Sequence, residues 1–243
     1  MRKVHGVVGL LAGIAAASGW LGAGSSLARA DVPDAAAAPA VPAAPAVTSP
    51  AAQVAVDKVQ AFYDKTGTFQ SDFQQEFTVK AYNQKKTSKG HVTFSKPGKM
   101  HWVYDEPAGN HVVSDGTTLR VYEASNNQMF EQAVDKSQYP AALSFLTGQG
   151  KLADAFTFEL ASGDKMSFPG GFVLIGTPRQ PNPAYAKVLF YVDTATSQVR
   201  MVMIIDGQAN RNRFVFTTPR VNDPVKPDEF KFTPPPGTSI VHP

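Results

Sequence analysis

The stretch from Lys96 to Tyr122, KPGKMHWVYDEPAGNHVVSDGTTLRVY, constrains the fold more than any other part of the chain. It holds three short strands, each closed by a turn signal. Lys96-Pro97-Gly98 opens it, Asp105 to Asn110 separates the first strand from the second, and Asp115-Gly116 makes the next hairpin. Gly, Pro, Asn and Asp supply the backbone angles and local hydrogen bonds that tight turns need. Side chains alternate along a strand, so Met100, Trp102 and Tyr104 share one face of the first. The expected unit is a meander with large amphipathic rings on one side.

The rest of the chain extends that sheet. Val56, Val59, Phe62 and Tyr63 recur at three- and four-residue spacing, which predicts a helix over Gln53–Thr66 ended by Gly67. Thr68–Lys80 then alternates cleanly: Phe69, Phe73, Phe77 and Val79 fall on one face and only polar residues on the other. Such a strand belongs to an antiparallel sheet wet on one side. Tyr82–Lys89 reads as a polar turn before a strand at Gly90–Ser95 and the meander. A short apolar segment at Met129 and Phe130 follows. Gln138–Leu146 predicts a second helix, with Pro140 near its first turn and Gly148 and Gly150 ending it.

Strand patterns return after that helix: Phe156-Phe158-Leu160, Met166-Phe168, Phe172-Leu174, Val188-Phe190-Val192, Val199-Met201-Met203-Ile205, Phe214-Phe216 and Phe230-Phe232. No helix-length segment separates them, so no parallel crossover is implied. About ten antiparallel strands and two helices result, and a sheet that wide curls into a barrel or part of one.

Two segments precede this domain. Met1–Ala30 has the basic start (Arg2, Lys3), apolar middle and Ala28-Arg29-Ala30 cleavage pattern of a secretory signal peptide, the alternative being a membrane anchor. Residues 31–52 are rich in Ala and Pro and predict a disordered spacer, so the folded domain is expected over 53–243. Of the 23 basic residues three lie in the leader, which leaves 20 against 20 acids. The net positive charge of the whole chain is thus no sign of a nucleic-acid partner. There is no cysteine, which excludes disulfides, thiolate metal sites, a catalytic thiol and lipidation of an N-terminal cysteine.

The informative surplus is aromatic. The chain has 16 phenylalanines, none before Asp31. An ordinary β core accounts for any one of them. A sheet with two helices has little to pack against, however, so its concave face must close on itself, be covered, or hold something apolar such as an acyl chain. No catalytic constellation competes with that reading: there is no Gly-x-Ser-x-Gly, His-Glu-x-x-His or phosphate-binding loop. Gly148-Gln149-Gly150-Lys151-Leu152-Ala153 matches a dinucleotide fingerprint only in letters, since it follows a helix. His91, His101, His111 and His242 sit singly; His101 and His111 lie near strand ends beside turns and read as exposed strand positions, the alternative being a metal pair across strands. Neither an enzymatic activity, a cofactor nor a metal is expected.

Several segments together resemble the periplasmic outer-membrane lipoprotein carriers of the LolA family. They are Phe69-x-x-x-Phe73-x-Gln75, Gly90 with Lys96-Pro97, Trp102 and Pro107, Val113-Ser114-Asp115-Gly116-x-x-Leu119-x-x-Tyr122, the Pro140 helix with Leu143, Phe145 and Leu146, and Phe230-x-Phe232-Thr233-Pro234-Pro235-x-Gly237. The resemblance implies a mainly β fold with two or three helices, in which a curved antiparallel sheet forms an unclosed half-barrel and a helical lid covers a hydrophobic cavity. It implies that Phe69, Phe73, Phe77, Met100, Trp102, Tyr104, Leu143, Phe145 and Leu146 contact acyl chains. The implied partners are acylated lipoproteins, an inner-membrane ABC-type release complex (LolCDE-like) and an outer-membrane acceptor (LolB-like), served by a monomer in the periplasm. A lipid- or lipoprotein-sensing regulatory domain on the same half-barrel is the alternative. One position departs: the family commonly has Arg where this chain has Lys96, thought there to hold the lid shut. An ammonium has three donors and no planar fork, so Lys96 is expected to be either a looser latch or a solvated turn residue.

Overall fold

A computed structural model describes residues 48–134, 145–148 and 150–242. Helix α1 (Pro50–Asp64) comes first, followed by β1 (Thr68–Val79), β2 (Gln84–Ser95), β3 (Lys99–Glu106), β4 (Ala108–Asp115), β5 (Thr118–Glu123) and β6 (Gln128–Ala133). After α2 (Leu152–Ala155) come β7 (Phe156–Ser162), β8 (Gly171–Pro178), β9 (Lys187–Asp193), β10 (Val199–Ile205), β11 (Arg211–Val221) and β12 (Ser239–Val241). All twelve strands form one sheet, ordered β12-β6-β5-β4-β3-β2-β1-β11-β10-β9-β8-β7, and its two end strands do not meet. The sheet is an unclosed half-barrel. The pairing of β1 with β11 brings an early and a late strand together and could not be read from sequence order.

Helix α1 starts at Pro50, earlier than its periodicity indicates and inside the stretch read as spacer. Ser49 caps it, its hydroxyl accepting from the Ala52 N–H at 3.3 Å, and Pro50 occupies a first-turn position where no N–H is needed. Ala52, Ala55, Val56, Val59 and Tyr63 form its buried stripe. They face the concave side of the sheet and join a core cluster with Phe156, Phe158 and Phe190 of β7 and β9. Burying a side chain of Val or Leu size contributes about 1.5–3 kcal/mol, so this stripe, rather than helix propensity, holds α1 in place.

Several expectations need correction. Most of the supposed polar turn at Tyr82–Lys89 belongs to β2, which pairs with the whole of β1; Lys85 reaches Glu76 across the pair at 3.5 Å. Met166 and Phe168 are not a strand. Asp164–Met166 is a 3-10 turn and Ser167 is left-handed, at φ 55°, while both apolar side chains pack on the convex face beside Val173, Leu189 and Tyr191. Phe230 and Phe232 lie outside any strand, in a segment broken by prolines 224, 227, 234, 235 and 236 that cannot donate to a ladder. A parallel pairing does occur, between β12 and β6 at the sheet edge. In β10 a register irregularity between Val199 and Met201 shifts the parity. Val199, Val202 and Ile204 therefore face the core, whereas Met201, Met203 and Ile205 lie with the convex cluster. Gln138–Ser144 of the second expected helix fall outside the described residues; Phe145–Thr147 are a 3-10 turn.

The Asp115 hairpin shows how the meander is fixed. Asp115 Oδ1 accepts from the Thr117 N–H at 2.9 Å, the Thr117 hydroxyl at 2.8 Å and the Thr118 N–H at 2.8 Å. Its Oδ2 accepts from Arg120, which also reaches Glu131. Partial burial disfavours the charge, but the Thr118, Thr117 and Arg120 bonds together hold the carboxyl well below the usual carboxylate range. A carboxylate whose folded value is depressed stabilises the fold above its unfolded value, about pH 4, and that contribution fades as pH falls further. Asp115→Ala is expected to cost about 1–2 kcal/mol at pH 7, allowing for solvent screening. Denaturant titrations should show the gap from wild type shrinking below about pH 4.

Candidate functional site

The strict alternation of β1 and β3 builds the concave face. Phe69 and Phe73 come from β1, Met100, Trp102 and Tyr104 from β3, Phe94 from β2, and Phe214 and Phe216 from β11, all buried. They touch edge to face or tilted, with ring centroids 4.9 Å apart for Phe73–Trp102, 5.2 Å for Phe73–Tyr104, 5.7 Å for Phe94–Trp102 and 5.3 Å for Trp102–Phe214. Such pairs add about 0.5–1.5 kcal/mol beyond their area.

Tyr63 of α1 caps this face from above. Its ring meets Phe145 edge-on at 4.8 Å, and Phe145 meets Phe190 at 5.7 Å. The Tyr63 hydroxyl accepts from the Val199 N–H at 3.1 Å, and burial pushes its ionisation far up, so it stays neutral. Tyr63 and Phe145 thus connect α1 and the 145–148 turn to Phe190 within the core cluster.

Three turns converge where α1 ends. Lys96 Nζ donates to the Tyr63 carbonyl, which also accepts from the Thr66 N–H. A carbonyl in the last helical turn has an unfilled acceptor and sits at the negative end of the helix dipole, so an ammonium suits it. The Lys96 stem runs against Gly148, where a Cβ would stand 2.8 Å from Lys96 Cδ and where φ is +73°. The Gly98 N–H donates to the Thr147 carbonyl at 2.9 Å. Lys96-Pro97-Gly98 therefore holds both the helix end and the 145–148 turn; Lys96 is a half-buried, bonded residue and not a solvated one.

Of the residues expected to contact cargo, Phe69, Phe73, Met100, Trp102, Tyr104, Phe145 and Leu146 lie in one core cluster. Phe77 does not. It sits farther along β1, half-buried, opposite Asn212 and Lys86 near the polar rim. Leu143 lies outside the described residues. Sequence reasoning missed Tyr63 as the residue Lys96 reaches, and Gly148 as the slot for its stem. Only a fold that brings residues 63, 96 and 148 together reveals either.

Between the ring cluster and the rim runs a short polar row. The Tyr104 hydroxyl donates to Gln75 Oε1 at 3.2 Å and Gln75 Nε2 donates to Asn212 Oδ1 at 2.9 Å, all three residues buried. On the convex face His101 and His111 are not single exposed residues: His101 Nε2 and His111 Nδ1 are 3.0 Å apart, and Glu229 lies 3.3 Å from His101 Nδ1. The segment carrying Phe230 and Phe232 covers them, with Phe232 4.7 Å from the His111 ring. Burial, then His101 and His91, lower His111 to about 4. No group of three or more metal-binding side chains occurs among the described residues, and no described helix is long and apolar enough to cross a membrane.

A family model, outer membrane lipoprotein carrier protein LolA, matches residues 64–233. The chain belongs to the LolA family. It is 27% identical over 197 residues to an outer-membrane lipoprotein carrier protein of Chromobacterium violaceum, an alignment covering 80% of this chain and 91% of that one. A protein of the same name from Cupriavidus necator is 26% identical over 198 residues, with the same coverage. Among solved structures, a LolA superfamily protein from Nitrosomonas europaea superposes with a TM-score of 0.44 at 11% identity, covering 74% of this chain and 97% of that one.

Membership of the LolA family sharpens what the Lys96 contact should do. A hydrogen bond to a charged donor contributes about 1.5–3 kcal/mol. Lys96→Met is expected to raise amide hydrogen exchange in the last turn of α1 by about tenfold or more while leaving the β1 and β3 amides unchanged. Equal protection in variant and wild type would show that packing alone holds the helix end.

Proposed function

We propose that this protein is a periplasmic carrier that shelters the acyl chains of lipoproteins released from the inner membrane and delivers them to an outer-membrane acceptor. One observation carries the reading. A separate helix, α1, packs its apolar stripe into the aromatic core cluster, and its last turn is tied to the sheet by the Lys96 ammonium on the Tyr63 carbonyl and by the Tyr63 hydroxyl on the Val199 N–H.

Energetics favour a reversible cover. Burying each methylene gains about 0.8 kcal/mol, so a long acyl chain exposed to water costs on the order of 10 kcal/mol. A carrier must offset most of that cost and still release its cargo with no nucleotide site of its own. In this reading α1 swings away and the acyl chain takes its place against the core cluster that holds Phe69, Phe73, Met100, Trp102, Phe145 and Leu146. The exchange is apolar surface for apolar surface, so loading and unloading lie close in free energy. Lys96 then biases the empty form toward closure. Release by an ABC-type complex and acceptance by a LolB-like lipoprotein would supply direction.

Nothing in this task needs a catalytic group. Mass spectrometry of the protein purified from the periplasm is expected to show acylated lipoproteins bound one per carrier. Phe73→Asp, in preparations that keep the wild-type circular dichroism, should lose them. Lipoprotein transfer by folded Phe73→Asp at the wild-type rate would overturn the assignment of this face.

A further inference from the structure

The aromatic interior contains a buried hydrogen-bond donor with no acceptor among the described residues. Trp102 is 2% exposed and packed among Phe73, Phe94 and Phe214, yet its Nε1–H has no hydrogen-bond partner among the described residues. An indole N–H can only donate. Leaving it unmade in a dry interior forfeits its hydration without return, and such groups are uncommon in native folds. Phenylalanine, used at the surrounding positions, would fill much of the same space without that penalty.

The donor also stands at a boundary. Two residues along β3, Tyr104 begins the polar row that continues through Gln75 to Asn212. The concave face therefore changes from rings alone, at Phe69 and Phe94, to rings with one free donor at Trp102, to hydroxyl and amide groups. A pure hydrocarbon would use only the first zone. An acyl ester uses all three: a methylene tail, a carbonyl oxygen that has shed its water, and a polar glyceryl end.

We propose that the Trp102 Nε1–H donates to the ester carbonyl oxygen of an acyl chain lying on the aromatic face, with the Tyr104–Gln75–Asn212 row receiving the glyceryl end. This rests on the carrier reading and adds to it a direction and a depth. The chain enters with its ester at Trp102 and its tail toward Phe69 and Phe94. Specificity then lies in the ester, because tails of any origin satisfy the rings equally.

The test compares a diacylglyceryl-cysteinyl lipopeptide with its dialkyl ether counterpart, identical in chain length and lacking the carbonyls. Wild-type protein is expected to bind the diester about three- to tenfold more tightly than the diether, the range of one net hydrogen bond. Trp102→Phe should bind both alike, at the diether level. In a 15N–1H spectrum the indole N–H resonance, assigned by its loss in Trp102→Phe, should move downfield with the diester and not with the diether. A purely structural tryptophan would give neither the ester preference nor the selective shift. Phosphatidylglycerol with the same chains separates two sources of the ester: Trp102-dependent binding places recognition in the diacylglyceryl group alone, and absent binding adds a need for the lipidated peptide. Equal affinities for diester and diether in the wild type, or an ester preference that survives in Trp102→Phe, overturns the proposal and leaves the carrier reading intact. Failure of wild type to bind either lipopeptide overturns the carrier reading itself.

Discussion

The contact of α1 with the concave face governs everything else in this fold. Among the described residues, the twelve strands of the sheet have one parallel pair, at its edge, and no layer of crossover helices to cover them. One side must find cover or hold water against phenylalanine. On the convex side the proline-rich C-terminal segment and the Met166–Phe168 turn supply part of that cover. On the concave side α1 packs Val56, Val59 and Tyr63 into the core cluster, which Phe145 and Leu146 join. In the proposed carrier, the same apolar area stabilises the closed form and becomes the binding surface when the helix leaves.

That dual use explains where the polar groups lie. Lys96 meets α1 at a backbone carbonyl, so the contact needs no complementary side chain on the helix, only a carbonyl in its last turn. Gly148 is required beside it for two reasons at once: a side chain there would collide with the Lys96 stem, and the backbone is left-handed. Gln75, Tyr104 and Asn212 satisfy one another within the sheet, so the rim can be polar without leaving those hydrogen bonds unmade. The Trp102 Nε1–H, beside that row, has no partner among the described residues.

Much of this was legible in the sequence where the signal was local. The alternation from Phe69 through Val79 and the turns at Lys96-Pro97-Gly98 and Asp115-Gly116 placed the central strands within a residue or two, because period-two burial and turn chemistry act over short distances. What failed was non-local. The polar run at Lys85–Lys89 is a strand because β1 offers it a partner, and Met201 faces outward because of an irregularity that no residue announces. His101 and His111 read in sequence as exposed, with a cross-strand pair as the alternative; they do touch, because β3 and β4 place positions 101 and 111 near one another. The Lys96–Tyr63 contact belongs to the same class: the family resemblance pointed to a latch at Lys96, and only the fold names what it holds.

Hydrogen exchange with and without a bound diacylated lipopeptide tests the central claim most directly, that cargo takes the place of α1 on the aromatic face. The account predicts that amides across α1 lose protection on binding while those of β1 and β3 around Phe73 and Trp102 hold or gain it. Bound lipopeptide with α1 equally or better protected would place the cargo elsewhere and contradict the account.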